Sequence, residues 1–331
     1  MKRAGIIGCG SWGTALAVLL AETAEQVRLW GRERSVIKSI NFGRENAAYL
    51  PGIKLPDCIE ATRHLKELAD CDVILLVVPS RAMREVVRLF AQMKFPRKVP
   101  IVSCVKGIEK STGLRMSEIV RELLPEHTVA VLSGPNHAEE ISRRQPAAAV
   151  IGCSENQVGI ELQELFTCPW FRAYTSEDVC GIEWGAASKN VFAIASGIAQ
   201  GLGLGDNAKA ALLTRGLQEM IRLGSAMGGR PETFQGLSGV GDLIVTCFSQ
   251  HSRNNRVGQA LGSGQRLTDV MASMSSVAEG VPNTESIHQS ARRIGLRTPI
   301  IDTIYAILYQ DMPCRDGLRS LLARDPRPEL D

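Results

Sequence analysis

The pattern of apolar and polar positions changes once along the chain, near residues 180–188. Before that point, short apolar runs alternate with segments of helical periodicity, beginning with apolar runs at residues 4–7 and 26–30. The run 72–78 is almost entirely aliphatic, as is typical of a strand buried on both faces of a parallel sheet. This rhythm predicts an α/β domain with a doubly wound parallel sheet over residues 1–183.

The remaining elements of the first half follow from the same alternation. Further strands are expected over residues 59–62, 100–105, 128–132 and 147–152. Helical segments are expected over residues 14–21, 34–43, 65–69, 83–93 (capped by Ser80) and 116–124.

Beyond residue 183 the pattern shows no strand. It predicts helices over residues 183–199, 208–227, 255–261, 268–274, 282–294 and 299–308. Asp206-Asn207 is expected to cap the second of these helices. Residues 236–242 are rich in glycine, and Gly239–Asp242 is expected to form a flexible loop. We therefore predict an all-helical second domain over residues 184–331.

The stretch Gly8-Cys9-Gly10-Ser11-Trp12-Gly13 joins the first strand to the first helix and has the form G-x-G-x-x-G. In that context Gly8 permits a tight turn, Gly10 lets a pyrophosphate approach the backbone, and Gly13 lets helix and strand pack closely. The free N–H groups at the helix N-terminus favour a bound anion. The motif predicts a Rossmann-type domain that binds a dinucleotide.

The end of the second strand bears on which dinucleotide is bound. Arg32 lies just past that strand and suits the 2′-phosphate of NADPH, whereas an acidic residue there suits the 2′-hydroxyl of NADH. Glu33 follows directly and leaves both cofactors open. We expect NAD(P)H, with NADPH slightly favoured.

Composition and charge narrow the class of protein. The chain has 331 residues, 44% hydrophobic and 22% charged, and a formal net charge of +3, which is a globular balance without the dense basic block of a nucleic-acid binder. Its nine cysteines are scattered and contain no C-x-x-C pair, which favours a reducing compartment. The five histidines form no metal-binding motif, so no metal site is expected.

The opening also resembles a secretory signal peptide, because Lys2-Arg3 precedes an apolar stretch. Four glycines interrupt that stretch, and the strand-like run 26–30 follows it, which favours a folded domain instead. No run reaches the roughly 18 uncharged apolar residues of a membrane span. We expect a cytoplasmic protein without a membrane span.

Two strand ends carry polar residues where the ligands of an open α/β sheet bind. Lys106 follows the strand 100–105, and Ser133-Gly134-Pro135-Asn136 follow the strand 128–132. Lys106 is therefore expected to point into the ligand crevice; the alternative is an ordinary solvated lysine.

Lys189 lies in a helix of small and apolar residues. Burial of an unpaired ammonium is unfavourable and lowers its pKa, and such a lysine can exchange a proton with a reacting oxygen near neutral pH. The alternative is a lysine whose stem packs on apolar surface while its head reaches water. Composition alone does not decide between them.

Two further segments carry candidate side chains. Asp242 ends the glycine-rich segment and can orient a lysine or bind a hydroxyl, although Gly-Asp is also common turn chemistry. Ser252-Arg253-Asn254 stands at the start of a helix, with Ser252 as the expected N-cap. A helix N-terminus and an arginine together suit a phosphate or carboxylate. A polar linker with solvated arginines is the alternative.

Taken together, the chain resembles the bacterial-type NAD(P)-dependent glycerol-3-phosphate dehydrogenases over nearly its whole length. The matching motifs are Gly8 to Ala17, Lys106-Gly107-Ile108-Glu109, Ser133-Gly134-Pro135, Ala187-Ser188-Lys189-Asn190, Gly239-Val240-Gly241-Asp242-Leu243, Ser252-Arg253-Asn254 and Val277-Ala278-Glu279-Gly280. This resemblance implies reversible reduction of dihydroxyacetone phosphate to sn-glycerol 3-phosphate, which feeds glycerophospholipid synthesis.

The resemblance also implies residue roles. Lys189 matches the proton donor/acceptor, and Lys106 and Asp242 match residues at the reacting end of the substrate. The implied substrate contacts are Lys106, Gly134, Asn136, Lys189, Asp242, Ser252, Arg253 and Asn254. The implied cofactor contacts are Gly8, Gly10, Ser11, Trp12, Gly13, Arg32, Lys106, Ala138, Arg253, Val277 and Glu279.

One departure from the family is visible: Asn136-His137 stand where the family usually has Ser or Thr followed by an aromatic residue. Two other classes compete with this interpretation. One is a β-hydroxyacid or 6-phosphogluconate type dehydrogenase, since Arg253 suits a carboxylate as well as a phosphate. The other is a non-catalytic dinucleotide-binding protein. The expected partner is a small phosphorylated substrate; a homodimer is compatible with the sequence, which does not decide the oligomeric state.

Overall fold

The structure is a computed structural model that describes residues 1–93, 98–274, 277–326 and 328–329. Its first half contains one eight-stranded sheet with the spatial order β3-β2-β1-β4-β5-β6-β7-β8. The strands are β1 (Arg3–Ile7), β2 (Gln26–Trp30), β3 (Ile59–Thr62), β4 (Val73–Leu76), β5 (Ile101–Ser103), β6 (Val129–Ser133), β7 (Ala147–Cys153) and β8 (Phe171–Ser176).

The first six strands are parallel, and their order reverses between β1 and β4, as the doubly wound prediction requires. The helices of this half are α1 (Ser11–Leu20), α2 (Arg34–Gly43), α3 (Met83–Ala91), α4 (Met116–Leu123), α5 (Ala138–Ile141) and α6 (Asn156–Phe166). Apolar side chains fill both faces of the sheet, with β1 contributing Ile6 to one cluster and Ile7 to the other.

The second half is helical. Its helices are α7 (Val179–Gly201), α8 (Asp206–Ala226), α9 (Asp242–Phe248), α10 (Arg253–Gly262), α11 (Leu267–Ser273), α12 (Gly280–Arg293), α13 (Pro299–Tyr309) and α14 (Cys314–Leu322). Helix α7 is buried along most of its length and packs against α8, α9, α10, α12 and α13. Among the described helices, none is both long and apolar enough to cross a membrane.

Glycines set the close approach of α7 and α10. A Cβ on Gly258 would lie 2.1 Å from the carbonyl oxygen of Ile194, and one on Gly197 would lie 2.1 Å from that of Asn255. The two backbones therefore pack in direct contact, and this contact fixes the start of α10 relative to the middle of α7.

Several expectations about elements need correction. Strand β7 runs antiparallel to β6, and the sequence interpretation missed α5, α6, β8, α9 and α14. Ser80 does not cap a helix: it opens a 3-10 turn, Ser80–Ala82, before α3. Asp206 is the first residue of α8, and Gly205 holds the cap position.

The prediction of a flexible loop at Gly239–Asp242 is also wrong. The segment Leu237–Gly241 is a π-helical turn that runs directly into α9, and Ser238, Gly239 and Asp242 are buried. A Cβ on Gly239 would lie 2.0 Å from the carbonyl oxygen of Phe234. The glycines here serve close packing, which composition alone does not distinguish from flexibility.

Candidate active site

The glycine loop lies at the carboxyl ends of β1 and β4. Gly8 has φ of +129°, and a Cβ there would lie 2.3 Å from the carbonyl oxygen of Val77. A Cβ on Gly13 would lie 1.9 Å from the carbonyl oxygen of Gly8, whereas one on Gly10 would meet no atom within 4 Å. The first and third glycines are thus required by packing, and the second borders open space.

This space fits the diphosphate of a dinucleotide. Helix α1 begins at Ser11, and no side chain caps its N-terminus. Its first-turn N–H groups therefore point toward the space beside Gly10, where they can bind an anion. The buried Asn46 supports the loop from behind by donating to the carbonyl oxygen of Cys9 at 2.9 Å and to Thr14 Oγ1 at 2.7 Å.

The two residues that bear on cofactor choice lie in different environments. Arg32 is exposed just past β2. The carboxylate of Glu33 accepts a hydrogen bond from the hydroxyl of Tyr49 at 2.5 Å. Glu33 is therefore engaged by a neighbouring side chain, while Arg32 faces solvent beside the glycine loop. Trp12 lies in the first turn of α1, partly buried.

Two lysines and one aspartate from distant parts of the chain form the centre of the site. Lys106, which follows β5, donates to Asp242 Oδ2 at 2.6 Å, and Lys189 of α7 donates to Asp242 Oδ1 at 3.0 Å. Lys106 also donates to the carbonyl oxygen of Gly134, at 3.0 Å. Lys189 is 7% exposed and Asp242 1%, so water screens this cluster little.

The environment shifts the pKa of both buried groups. Burial lowers the pKa of Lys189 to about 8; Asp242 opposes this shift and the charge on Lys106 adds to it. Burial by itself would raise the pKa of Asp242, but Lys106 and Lys189 together outweigh it and hold that pKa below its usual value. At neutral pH the cluster thus holds two cations around one anion. The pKa of Lys189 lies close enough to neutral pH for its ammonium group to exchange a proton.

The sequence interpretation missed Thr246, which completes this cluster. Lys189 Nζ donates to Thr246 Oγ1 at 2.7 Å, and Thr246 Oγ1 lies 3.2 Å from Asp242 Oδ1. Thr246 stands four residues after Asp242 on α9, so one helix face presents both groups. That i, i+4 spacing was the available signal.

The turn after β6 lies beside the cluster. Gly134 has φ of +145°, and a Cβ there would lie 3.3 Å from Asn136 Nδ2. Neither polar atom of the Asn136 amide, nor Nε2 of His137, has a hydrogen-bond partner among the described residues, although all three atoms are shielded from solvent. Burial and the neighbouring charges of Lys189 and Lys106 lower the pKa of His137.

The start of α10 forms a second polar region. Ser252 caps the helix by accepting a hydrogen bond from the backbone N–H of Asn255, at 3.2 Å. Arg253 donates to the carbonyl oxygen of Val277 at 2.9 Å and remains partly exposed. Asn254 is buried, and its amide joins two helices: it donates to Asn190 Oδ1 and accepts from the backbone N–H of Gly280.

Contacts between the two halves complete the site. The carboxylate of Glu279 accepts hydrogen bonds from the backbone N–H and the hydroxyl of Ser80. Asn283, also missed in the sequence, donates to the carbonyl oxygen of Lys106 at 2.9 Å. Ala138 is buried at the start of α5.

The structure thus brings many predicted residues into contact. Direct contacts connect Lys106, Gly134, Lys189 and Asp242, and Arg253 touches Val277. The glycine loop and Arg32 lie further along the same edge of the sheet. Within the described ranges, no group of three or more His, Cys, Asp or Glu side chains is arranged to hold a metal ion.

Comparison with known proteins identifies the family. The family model for the N-terminus of NAD-dependent glycerol-3-phosphate dehydrogenase matches residues 3–159, and the model for its C-terminus matches residues 178–319. Two curated relatives are named glycerol-3-phosphate dehydrogenase with NAD(P)+ as cofactor. The one from Prosthecochloris aestuarii is 45% identical, covering 98% of this chain and 99% of its own. The one from Bacillus cereus is 46% identical, covering 100% and 98%.

A solved structure agrees with these sequence matches. Glycerol-3-phosphate dehydrogenase from Coxiella burnetii superposes with a TM-score of 0.93 at 37% identity, covering 98% of this chain and 99% of its own. Both halves of the fold, in the order found here, are therefore present in a solved relative. The chain belongs to the NAD-dependent glycerol-3-phosphate dehydrogenase family.

Proposed function

We propose that the protein catalyses reversible NAD(P)H-dependent reduction of dihydroxyacetone phosphate to sn-glycerol 3-phosphate, for glycerophospholipid synthesis. The observation that carries this proposal is the contact of Lys189 and Lys106 with one buried carboxylate, Asp242, at the edge of the sheet that bears the glycine loop. A catalytically silent dinucleotide-binding protein needs no such cluster.

The bound nicotinamide supplies or accepts the hydride at C2 of the substrate. Lys189 supplies the proton to the C2 oxygen during reduction and removes it during oxidation. A pKa of about 8 suits both directions, because the ammonium and the amine are both populated near neutral pH. Lys106 adds positive charge where the oxyanion develops, and Asp242 holds both lysines in place.

The substrate phosphate is assigned to the start of α10. Free N–H groups and the positive end of the helix dipole favour a doubly charged anion there, and Arg253 adds a guanidinium. Ser252 shapes this terminus as the cap. Gly134 and Asn136 contact the substrate from the turn after β6, and Asn254 contacts it from the start of α10.

The cofactor is assigned to the glycine loop. Gly8, Gly10, Ser11, Trp12 and Gly13 form its diphosphate site. The remaining contacts proposed are Arg32, Lys106, Ala138, Arg253, Val277 and Glu279. In this assignment residues 1–183 supply most of the cofactor site and part of the substrate site, and residues 184–331 supply the phosphate site and the proton donor.

We propose a modest preference for NADPH. Its support is the exposed guanidinium of Arg32, together with the engagement of Glu33 by Tyr49. A free arginine favours the 2′-phosphate, and a carboxylate already bound to a tyrosine is less available to the 2′-hydroxyl of NADH.

The setting of the protein is also proposed. All nine cysteines are free thiols, which suits the reducing cytoplasm. A homodimer is supported by Ile244 and Phe248, whose apolar side chains are exposed one turn apart on α9. Light scattering after size-exclusion chromatography measures the oligomeric state.

The direct test is oxidation of NADH and NADPH by the purified protein with dihydroxyacetone phosphate. Oxidation with both cofactors is expected, with the higher kcat/KM for NADPH. Arg32→Ala should lower kcat/KM for NADPH more than for NADH. No oxidation with either cofactor would overturn the proposed function, and faster turnover of a hydroxy acid such as 6-phosphogluconate would replace it.

A further inference from the structure

Three polar atoms in the turn after β6 have no hydrogen-bond partner among the described residues. They are Nδ2 and Oδ1 of Asn136 and Nε2 of His137, each shielded from solvent. An unpaired buried polar group costs about 1–3 kcal/mol, so such groups are ordinarily satisfied by a ligand or by water. The three atoms belong to adjacent residues of the turn in which the carbonyl oxygen of Gly134 accepts from Lys106, and they indicate a subsite for a polar ligand group.

The location of His137 ties this subsite to the reaction centre. It holds the N-cap position of α5, three residues after Gly134, whose carbonyl oxygen receives Lys106. The charges of Lys189 and Lys106 both act on its imidazole. The ring centroid of His137 lies 5.9 Å from that of the exposed His251.

The charge of the subsite limits what it binds. The groups that act on His137 are Lys189, Lys106, Asp242 and Glu140, and with burial their net effect lowers its pKa. A neutral imidazole and a neutral amide offer donors and acceptors but no net charge. They suit a hydroxyl, which both donates and accepts, better than a phosphate.

The other parts of the substrate already have cationic sites. The phosphate is assigned to Arg253 and the start of α10, and the C2 oxygen to Lys189 and Lys106. The group that remains is the hydroxyl on the carbon that carries no phosphate. We propose, building on the proposed function, that His137, together with the substrate contact Asn136, binds this terminal hydroxyl and makes the enzyme discriminate against ketone phosphates that lack it.

This subsite gives His137 a role in specificity that is separate from proton transfer. A site with groups placed to bind a substrate hydroxyl discriminates strongly against an analogue without it, because its polar groups then stay unpaired. The matched analogue is hydroxyacetone phosphate, which has a methyl group in place of the hydroxymethyl group. The wild-type enzyme should prefer dihydroxyacetone phosphate by about 100-fold or more in kcat/KM.

The test measures kcat/KM for both substrates in the wild type and in His137→Phe. Loss of the hydrogen bond should reduce kcat/KM for dihydroxyacetone phosphate by about 10-fold or more, and that for hydroxyacetone phosphate by less than about 3-fold. His137→Gln, which keeps a donor and an acceptor, should retain most of the preference. His251→Phe removes the neighbouring outer imidazole and should leave the preference unchanged.

Cofactor affinity and the melting temperature of each variant report whether the fold is intact. If His137→Phe does not fold, Asn136→Ala makes the same comparison. Equal losses with both substrates would assign His137 a structural role and overturn the proposal. Wild-type turnover of dihydroxyacetone phosphate without a preference over hydroxyacetone phosphate would overturn the hydroxyl site while leaving the proposed function standing. No turnover of either substrate would overturn both.

Discussion

At the scale of single residues, the proposed chemistry depends on one carboxylate that contacts two ammonium groups. Asp242 accepts from Lys189 and Lys106 with distances of 3.0 and 2.6 Å. One positive charge is left uncompensated where an alkoxide forms during carbonyl reduction. In a site that excludes water, such a fixed charge stabilises the transition state without reorganisation.

The pKa of Lys189 provides a test of this arrangement. Reduction requires the ammonium form, so kcat/KM for dihydroxyacetone phosphate should fall as pH rises through about 8. Oxidation of sn-glycerol 3-phosphate requires the amine and should rise over the same range. Asp242→Asn removes the charge that raises the pKa of Lys189, so both transitions should move to lower pH. Profiles that do not move would contradict the role of Asp242.

The sequence indicated Lys189, Lys106 and Asp242 separately but not their contact. The local sequence pattern was enough to place Lys189 in a helix of small residues, Lys106 at a strand end and Asp242 after a glycine-rich segment. Thr246 had only its i, i+4 spacing from Asp242 as a local signal, and Asn283 had none, because their partners on Lys189 and Lys106 lie 57 and 177 residues away in the chain. A threonine or asparagine is compatible with many environments, and only the tertiary fold selects one.

At the scale of elements, the N-terminus of α10 holds the proposed phosphate site. The glycine contacts between α7 and α10 fix this terminus relative to Lys189, so the two functional groups keep a constant separation. The sequence predicted both helices and the Ser252 cap. It did not show that the backbones of α10 and α7 are in contact, because glycines that face each other from two separate helices produce no pattern within either segment of sequence.

Arg253→Ala tests the phosphate site. Loss of a charged hydrogen bond, about 1.5–3 kcal/mol, should raise KM for dihydroxyacetone phosphate by about 10- to 100-fold, with a smaller change in kcat. Arg256→Ala is the matched control, because Arg256 is exposed on the same helix and its loss removes the same charge. Steady-state kinetics at constant ionic strength measures both. Equal effects of the two variants would point to a general charge effect and contradict the assignment.

The N-terminus of helix α13 is held by a buried carboxylate from a neighbouring helix. Glu219 of α8 accepts hydrogen bonds from the backbone N–H groups of Ile300 and Ile301, at 3.0 and 2.9 Å, in the first turn of α13. Burial raises the pKa of Glu219 to about 7. Because the folded-state pKa lies above the unfolded-state value, its contribution to stability is complete below about pH 4.5 and is lost as pH rises through about 7.

Glu219→Gln should therefore flatten the pH dependence of stability. Up to about 3 kcal/mol of wild-type unfolding free energy should be lost between pH 5 and pH 8, and the glutamine variant should lose less, because glutamine does not titrate. Denaturant unfolding at both pH values measures the difference. The same pH dependence in both proteins would show that Glu219 does not titrate in this range.

At the scale of the whole molecule, the site exists only where the two halves meet. Lys106 belongs to the sheet domain and contacts Asp242 and Asn283 of the helical half. Ser80 and Glu279 make a second contact across the same cleft. In the proposed mechanism the cofactor and the proton donor are therefore on opposite sides of this cleft, with the substrate between them.

The overall organisation was largely predictable because it depends on local sequence patterns. The βαβ rhythm, the glycine motif and the switch to helices each appear within a short window of sequence. The direction of β7 was not predictable, since an apolar run of seven residues carries the same pattern in a parallel or an antiparallel pair. Strand β8 gave a weak signal because its alternation of buried and exposed residues covers only Phe171 to Tyr174, and the exposed Tyr174 is itself aromatic.

In the proposed mechanism the sheet domain binds the cofactor while Lys189 of the helical half supplies the proton. The decisive measurement is kcat and the Kd for NADPH in Lys189→Ala. We expect kcat for reduction of dihydroxyacetone phosphate to fall by about 100-fold or more, with a Kd for NADPH within about 3-fold of wild type. A Lys189→Ala enzyme that turns over at nearly the wild-type rate would contradict it.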